Sequence, residues 1–357
     1  MKIGIFLHPY GEKYPAGLGR AILDLTAGLL DVDRENEYFI FAKDKSAPKP
    51  EFGGKNWNFF TSAGGKMWMD SLLKQHPEPD VCVFNTPVLP IRRPKKSVVL
   101  ALDFAYKYLP SSGPAEYLRR KATEFYHGFS LRRADAVVAI SEATKNDVIK
   151  FFRIPGEKIR IVHLGFKKVC GIPEVRVNIQ GKFFLFAGAI KERKNVLGVV
   201  KAFNEYRKEN DGYSLVITGH GTGFYYDALF RYVKDEGLED GVIFLKHCSD
   251  AELSFLYKRA EALVFPSFIE GFGFPVLEAM DCWLPVITSK TSSLGEIAGD
   301  AAVLVDPGDC TEIKEAMRKV VSDAGFRNGL IERGHARAKN FSWEKSAREL
   351  LEIIKNV

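Results

Sequence analysis

Cysteine and long apolar runs are both scarce in this chain of 357 residues. The five cysteines are odd in number and widely spaced, which fits neither a disulfide framework nor a zinc site, so we expect all of them to be reduced. No apolar run approaches the ~18 residues that a membrane span needs. The first apolar stretch, Lys2–Leu7, is too short for the core of a signal peptide. The expected location is therefore the cytoplasm.

Acidic residues are under-represented in the first half of the chain. Residues 1–168 hold 27 Lys and Arg against 18 Asp and Glu, a charge of +9, whereas the remainder holds 24 against 27, a charge of −3. Basic clusters occur at 92–96, 119–121 and 132–133. No recognised nucleic-acid motif accompanies them, so nucleic acid is not an expected partner. A solvated basic face and peripheral contact with the anionic inner face of the cell membrane both remain open.

Short apolar runs alternate with amphipathic segments, which predicts α/β domains with parallel sheets. The length favours two domains, which we place at residues 1–168 and 169–341. The predicted strands are Lys2–Leu7, Tyr38–Ala42, Trp57–Thr61, Val81–Phe84, Ser97–Leu102, Ala136–Ile140, Ile159–Val162, Phe183–Ala187, Ser214–Thr218, Val242–Leu245, Ala262–Phe265, Val286–Thr288 and Ala302–Val305. The predicted helices include Arg20–Leu30, Ala115–Arg133, Glu142–Phe152, Val196–Lys208, Phe224–Glu236, Asp250–Arg259 and Val276–Trp283.

Two carboxylates, Glu270 and Glu278, bracket a stretch that is typical of a strand, a glycine turn and a helix. Gly271 and Gly273 allow the backbone to approach a ligand closely, and Pro275 suits the first helical position. Glu278 is then expected in the first helical turn. A helix N-terminus offers free N–H groups and the positive end of a dipole, so the turn suits a phosphate.

Two cations, Arg193 and Lys194, precede another predicted helix. They follow the strand that ends before Gly188, and Asn195 is a natural N-cap. The helix dipole disfavours each cation there by roughly 0.3–1 kcal/mol, so the pair predicts an anion between them. Arg can hold phosphate oxygens with two hydrogen bonds, while Lys acts as a point charge.

Two glycine-rich turns follow predicted strands. Gly17 and Gly19 precede Arg20 after the first strand, and Gly219 opens a second turn after Ser214–Thr218. Neither has the spacing of a phosphate-binding loop, so each is consistent with a phosphate site or with a tight turn alone.

These motifs resemble those of the retaining GT-B glycosyltransferases of family four, the mannosyltransferase-like group 1. The resemblance is strongest over residues 183–307 and follows the order Phe265-Pro266-Ser267, Gly271-Phe272-Gly273, Glu278-Ala279-Met280, Pro285-Val286-Ile287 and Glu296-Ile297-Ala298-Gly299-Asp300. It implies two Rossmann-like doubly wound domains that face each other across a cleft holding the active site. It also implies that the last helix, residues 342–357, packs back on the first domain.

The resemblance implies a role for each motif. Arg193 and Lys194 would contact a donor diphosphate, Glu270 the hydroxyls of the sugar, and Glu278 the ribose hydroxyls of the nucleotide. The remaining residues would line the donor phosphates and the nucleotide pocket: Gly17, Gly19, Arg20, Gly188, Gly219, Gly271, Phe272 and Gly273.

One position departs from the family pattern. Members often carry His-Asp at the end of the strand that corresponds to Val98–Asp103. Asp103 matches the acid, but Leu102 stands where the histidine is usual. Asp103 is then left to act on the acceptor hydroxyl or to position the sugar.

The expected function is transfer of a hexose, mannose or glucose, with retention at the anomeric carbon. The donor would be a GDP- or UDP-linked sugar and the acceptor a saccharide or a lipid-linked saccharide. No metal or further cofactor is expected, because Arg193 and Lys194 would neutralise the diphosphate. The alternatives are an isomerase resembling nucleotide-sugar 2-epimerases and a non-catalytic nucleotide-sugar-binding protein, which Leu102 suggests.

Overall fold

A computed structural model describes residues 1–8, 10, 17–44, 47–62, 64–65, 67–76, 78–111 and 113–357. The chain divides into two compact units. The first comprises Met1–Gly165 together with Phe341–Val357, and the second comprises Phe166–Asn340. The C-terminal segment therefore belongs to the same unit as the N-terminus.

The first unit is built on a seven-stranded parallel sheet with the order β3-β2-β1-β4-β5-β6-β7. Its strands are β1 (Lys2–Leu7), β2 (Glu37–Ala42), β3 (Trp57–Thr61), β4 (Val81–Phe84), β5 (Ser97–Ala101), β6 (Ala136–Ala139) and β7 (Ile159–Ile161). Its helices are α1 (Gly17–Val32), α2 (Trp68–Gln75), α3 (Pro114–Arg133), α4 (Glu142–Phe152) and, from the end of the chain, α12 (Trp343–Lys355). The central strands are apolar on both faces, as a parallel sheet covered by helices requires.

The second unit repeats this plan with a six-stranded parallel sheet of order β10-β9-β8-β11-β12-β13. Its strands are β8 (Lys182–Ala187), β9 (Tyr213–Thr218), β10 (Val242–Leu245), β11 (Leu263–Phe265), β12 (Val286–Ser289) and β13 (Val303–Val305). Its helices are α5 (Val196–Glu209), α6 (Phe224–Asp235), α7 (Asp250–Arg259), α8 (Phe274–Asp281), α9 (Ser292–Ala298), α10 (Cys310–Ser322) and α11 (Ala324–Ala338).

The predicted strands are all present, and no strand end differs from its predicted position by more than one residue. The predicted helices are confirmed too, with the largest difference at the start of α1, which begins at Gly17 instead of Arg20. Among the helices of the described residues, none is both long and apolar enough to cross a membrane.

Helix α12 lies against α1 within the first unit. Its N-cap is Ser342, whose Oγ accepts a hydrogen bond from the N–H of Lys345 at 3.2 Å. Ser346 Oγ donates to the carbonyl of His163 at 2.7 Å. A Cβ at Gly28 of α1 would lie 3.0 Å from the carbonyl oxygen of Trp343, so the absence of a side chain at Gly28 relieves crowding where the two helices meet.

The prediction that all cysteines are reduced is wrong. Cys170 and Cys282 form a disulfide that joins the start of the second unit to the residue after α8. The other three cysteines are free, and Cys82 is buried. Residues 112 positions apart give no spacing pattern in a sequence, because only the fold of the second unit brings them together.

Loss of this bridge should destabilise the second unit. Because it closes a loop of 112 residues, Cys282→Ser should lower the free energy of unfolding by about 2–4 kcal/mol, as measured by urea denaturation. A reductant should lower the unfolding midpoint of the wild type and of the control Cys310→Ser but leave Cys282→Ser unchanged. A wild-type midpoint that does not respond to reductant would contradict the bridge.

Candidate active site

The central strands β8 and β11 of the second sheet are where the strand order reverses. From β8 the chain moves outward to β9, whereas from β11 it moves to β12 on the other side. Loops that leave two such strands in opposite directions open a crevice at their carboxyl ends, which is where open α/β sheets bind ligands. The loop 188–195 follows β8 and the loop 266–273 follows β11, so the crevice is formed by the two segments that carry the predicted site residues.

Glu270 is held by both predicted cations. Lys194 Nζ donates to Glu270 Oε1 at 2.6 Å, and Arg193 Nη1 lies 3.0 Å from Glu270 Oε2. The same guanidinium nitrogen donates to the carbonyl of Ile269 at 2.8 Å. Ser267 Oγ donates to Glu270 Oε1 at 3.2 Å. Residues 76 positions apart in the chain therefore form one cluster with two cations and one carboxylate.

Burial and charge act in opposite directions in this cluster. Burial raises the pKa of Glu270, but Lys194 and Arg193 outweigh burial and hold that pKa below its ordinary value. Burial lowers the pKa of Lys194, and Glu270 opposes that shift. We assign Lys194 its charged form because its ammonium touches an ionised carboxylate and lies 4.6 Å above the ring of Phe265. The cluster then carries a net charge of +1.

Asn195 fixes the position of this loop, although not by the predicted cap. It occupies the N-cap position of α5 with φ of 56°, but its side chain makes no cap hydrogen bond. The amide instead donates to the carbonyls of Pro266 at 3.3 Å and Pro307 at 2.5 Å. These hydrogen bonds connect the loop after β8 to the loops after β11 and β13. The asparagine therefore links the ends of three strands and does not cap the helix.

Gly188 and Gly219 lie at the ends of adjacent strands, and each needs the freedom of glycine. Gly188 has φ of 146° and Gly219 has φ of 142°. A Cβ on Gly219 would lie 2.0 Å from the carbonyl oxygen of Gly188, so any other residue would push the two turns apart. The close approach of the two backbones accounts for these glycines, and their contact with a nucleotide stays a prediction.

Serines of α9 hold the turn that contains Gly271, Phe272 and Gly273. Ser293 Oγ lies 2.8 Å from the carbonyl oxygen of Glu270 and 2.9 Å from that of Phe272, so its single proton is shared between these two acceptors. Gly273 has φ of 123°, and a Cβ there would lie 2.7 Å from Leu294. Side chains of α9 therefore hold this turn in place at the point where its backbone continues into α8.

The predicted place of Glu278 in the helix is wrong. Helix α8 begins at Phe274, two residues earlier than expected, and Pro275 is its second residue. Glu278 then lies in the second turn, so the free N–H groups of the helix end are not beside it. The turn glycines permit this early start, and the pattern of apolar residues did not reveal it.

Tyr257 is a residue that the sequence prediction missed. Tyr257 is a buried residue of α7, and its hydroxyl donates to Glu278 Oε2 at 2.9 Å. Burial first, and then the charge of Glu278, raise the pKa of this tyrosine well above its ordinary value, so the hydroxyl keeps its proton and remains a donor. The sequence shows only a tyrosine on the apolar face of a helix, and nothing in it predicts a hydrogen bond to a glutamate 21 residues later.

The predicted site residues of the first unit lie at the start of α1 and just after β5. Gly17, Gly19 and Arg20 form the start of α1 instead of a turn before it. Asp103 follows β5, and its Oδ1 accepts from the N–H of Ala105 at 3.2 Å, which makes it a turn residue. Leu102 is buried, so it offers no polar replacement for the missing histidine. A ligand role for these residues stays a prediction.

Two doubly wound parallel sheets, with a cation–carboxylate cluster at the switch point of the second, match the architecture of the GT-B glycosyltransferases. Residues 173–337 match the family described as "Glycosyl transferases group 1", and residues 15–167 match "Glycosyltransferase Family 4". The chain belongs to this glycosyltransferase family. The predicted family and the prediction of an enzyme are therefore confirmed.

Curated relatives agree with this family. The chain is 28% identical over 274 residues to the O-antigen chain mannosyltransferase B of Escherichia coli, covering 74% of this chain and 71% of that protein. It is 30% identical over 207 residues to the O-antigen chain mannosyltransferase RfbU of Salmonella typhimurium, covering 58% and 57%. A match to the serotype-specific mannosyltransferase WbdA of Escherichia coli, 27% identical over 69% of this chain, spans only 31% of that protein.

Solved structures confirm the predicted GT-B fold. Sucrose-phosphate synthase from Thermosynechococcus elongatus has a TM-score of 0.79 at 17% identity, covering 99% of this chain and 98% of that one. WaaG, a glycosyltransferase involved in lipopolysaccharide biosynthesis, has a TM-score of 0.73 at 18% identity, covering 99% of each chain. Anabaena HepE in complex with UDP-glucose has a TM-score of 0.76 at 16% identity, covering 100% of each chain.

The charge cluster should make stability depend on pH. The folded-state pKa of Glu270 lies below the ordinary value of 4.5, so its ionised form adds stability above that pH, and this stability is lost as the pH falls through the folded-state pKa. Glu270→Gln should lower the free energy of unfolding at pH 7 by about 3–5 kcal/mol, because it leaves two cations without their carboxylate. The difference from wild type should shrink below pH 4.5.

Chemical denaturation between neutral and acidic pH measures this difference. Glu332→Gln, an exposed carboxylate on α11, is the control and should follow the wild type at every pH. A difference for Glu270→Gln that stays constant down to acidic pH would contradict an ionised, cation-bound Glu270.

Proposed function

We propose that this glycosyltransferase moves a hexose from a nucleotide diphosphate sugar to an acceptor hydroxyl, with retention at the anomeric carbon and without a metal. The observation that carries the proposal is the cluster of Arg193, Lys194 and Glu270 at the switch point of the second sheet. Its net charge of +1 lies beside a glycine turn, where a diphosphate can reach both cations and backbone N–H groups.

Departure of the diphosphate is the difficult step. The leaving oxygen gains negative charge as its bond to the anomeric carbon breaks, and fixed cations already in place stabilise that charge without reorganising. Lys194 is suited to this task because Glu270, Phe265 and the buried loop hold its ammonium in one position. Arg193 is held by Ile269 and Glu270 in the same way.

Glu270 is poorly suited to act as a nucleophile. Both of its oxygens are paired with cations, which lowers its basicity. We therefore propose a front-face reaction. The acceptor oxygen bonds to the anomeric carbon on the side from which the diphosphate leaves, and the acceptor proton passes to a leaving phosphate oxygen. Glu270 binds the hydroxyls of the donor sugar and steadies the positive charge that develops at the anomeric carbon.

Metal independence is supported by the hydrogen bonds of the one acidic motif that could chelate a metal. The single Asp-x-Asp of the sequence is Asp31-Val32-Asp33. The carboxylate of Asp33 is occupied by Tyr38 Oη at 2.6 Å and by Asn36 Nδ2 at 2.7 Å, so it stabilises a turn before β2. Arg193 and Lys194 supply the positive charge that a divalent ion gives to other transferases.

Mannose from GDP-mannose is the donor that we favour, with a UDP-hexose as the alternative. The support is that relatives are named O-antigen chain mannosyltransferases. The same names support a growing saccharide chain, free or lipid-linked, as acceptor and a role in polysaccharide biosynthesis. A lipid-linked acceptor would place the enzyme in peripheral contact with the inner face of the cell membrane.

Removal of the Lys194 charge should impair the chemical step. Lys194→Met keeps the apolar stem of the side chain, and it should lower kcat by about 100- to 1,000-fold, as loss of one charge-stabilising donor does. The measurement is acceptor-dependent release of nucleotide, after a panel of nucleotide sugars has been ranked by thermal stabilisation. Lys191→Met, in the same loop but exposed, is the matched control with a rate near that of the wild type.

Rates separate the proposal from its alternatives. A folded Lys194→Met protein with wild-type turnover would overturn the role of the cluster. Conversion of the donor without any acceptor would indicate an isomerase. Donor binding by calorimetry, with no turnover across a broad set of acceptors, would indicate a non-catalytic binding protein.

Glu278 should affect donor binding more than turnover. If its carboxylate accepts from the ribose hydroxyls, Glu278→Gln should raise the KM of the donor about tenfold while kcat changes little, as loss of a hydrogen bond to a charged group does. Tyr257→Phe removes only the buried hydroxyl that orients Glu278, so its effect should be in the same direction and smaller. An unchanged KM in both variants, measured at saturating acceptor, would contradict this role.

A further inference from the structure

Helix α3 presents apolar side chains to solvent and polar side chains to its own unit. Leu118 is 67% exposed, Phe125 69% and Phe129 40%. Because residues seven and four apart share a helix face, these three side chains form one stripe, which we name the α3 ridge. Tyr117 and Tyr126 are also exposed, at 52% and 59%.

The inner face of α3 is polar and hydrogen-bonded over residues 114–127, and only its last turns enter the core, where Leu131 is fully buried. Arg120 pairs with Glu116 at 2.6 Å and donates to the carbonyl of Leu109 at 2.6 Å. Glu124 accepts from Lys107 at 2.5 Å, and His127 Nδ1 lies 3.0 Å from Tyr106 Oη. A surface helix normally turns its apolar stripe inward. The first turns of α3 have the reverse arrangement, which suits an apolar environment outside the protein.

Basic side chains flank the α3 ridge. By helical geometry, Arg119 and Arg133 lie on one side of the ridge and Lys121 and Arg132 on the other. Arg133 lies 4.8 Å above the ring of Phe129 and donates to the carbonyl of Ile91 at 3.4 Å. This hydrogen bond connects the ridge to the neighbouring loop between β4 and β5. That loop adds Ile91, 70% exposed, and the exposed basic residues Arg92, Arg93, Lys95 and Lys96.

We propose that the α3 ridge docks the protein on an anionic phospholipid bilayer. An apolar stripe between basic flanks, with tyrosines at its edges, has the chemistry of a helix lying in the headgroup region. A second copy of the chain fits less well, because two such surfaces would bring like charges together. The proposal adds to the proposed function the surface that would meet a lipid-linked acceptor. Only the identity of that acceptor rests on the proposed function, whereas membrane docking itself does not.

Sedimentation with vesicles, without nucleotide, tests the proposal. The wild type should bind phosphatidylglycerol-rich vesicles and not vesicles of phosphatidylcholine alone, and added salt should weaken binding. Phe125→Ser should weaken binding about tenfold, since an inserted aromatic ring is lost. The double variant Arg119→Glu/Lys121→Glu should weaken binding by at least about 25-fold, since each charge near the surface contributes about fivefold.

Matched controls come from α6 of the second unit. Phe224→Ser removes an aromatic ring that is 86% exposed, and Arg231→Glu/Lys234→Glu reverses two exposed charges on one helix. These variants should bind vesicles like the wild type. All variants should keep the wild-type melting temperature and the thermal stabilisation by donor, which separates loss of docking from loss of folding or of the donor site.

Three results would overturn the proposal. The first is equal binding to both kinds of vesicle, and the second is undiminished binding by the α3 variants. The third is a wild-type dimer in sedimentation velocity that Phe125→Ser dissociates without any vesicle binding, which would assign the ridge to a second copy. None of these measurements depends on sugar transfer, so the proposed function can fail or succeed independently.

Discussion

The contact of Glu270 with Lys194 and Arg193 is the interaction on which the organisation of the second unit depends. A buried carboxylate is costly without compensating charge, and a buried lysine is equally so. Each is tolerated because the other lies within 2.6 Å, and the second cation leaves one positive charge uncompensated. The parallel sheet makes this possible, since its switch point brings the ends of β8 and β11 side by side.

The surrounding residues serve to hold that cluster in place. Asn195 fastens the cation loop to the neighbouring strand ends, and the serines of α9 fasten the carboxylate loop. Gly219 lets the two turns approach within a distance that no side chain would permit, and the positive φ of Gly188 favours glycine there as well. The disulfide attaches the far end of α8 to residue 170, so the helix that follows the glycine turn is anchored at both ends.

Sequence patterns predicted the fold more completely than the site. Apolar runs bounded by turn residues located the strands, because burial on both faces of a parallel sheet leaves a plain signal. Charged residues beside glycine turns pointed to Arg193, Lys194, Glu270 and Glu278 as site candidates, but not to the contact between Glu270 and the two cations. Tyr257 and the Cys170–Cys282 bridge were missed because their contacts join residues that local periodicity cannot relate. The start of α8 was misplaced because glycine and proline permit several helix starts.

The sequence by itself determined the family, the two parallel α/β units and the uneven charge, since each follows from residue types and their order. Only the tertiary structure decided that Glu270 neutralises one of the two cations, since that depends on how two loops meet in space. It also decided that the aromatic residues of α3 face outward. The sequence showed aromatic and basic residues together on one helix, but which face the rest of the unit covers is settled by packing alone.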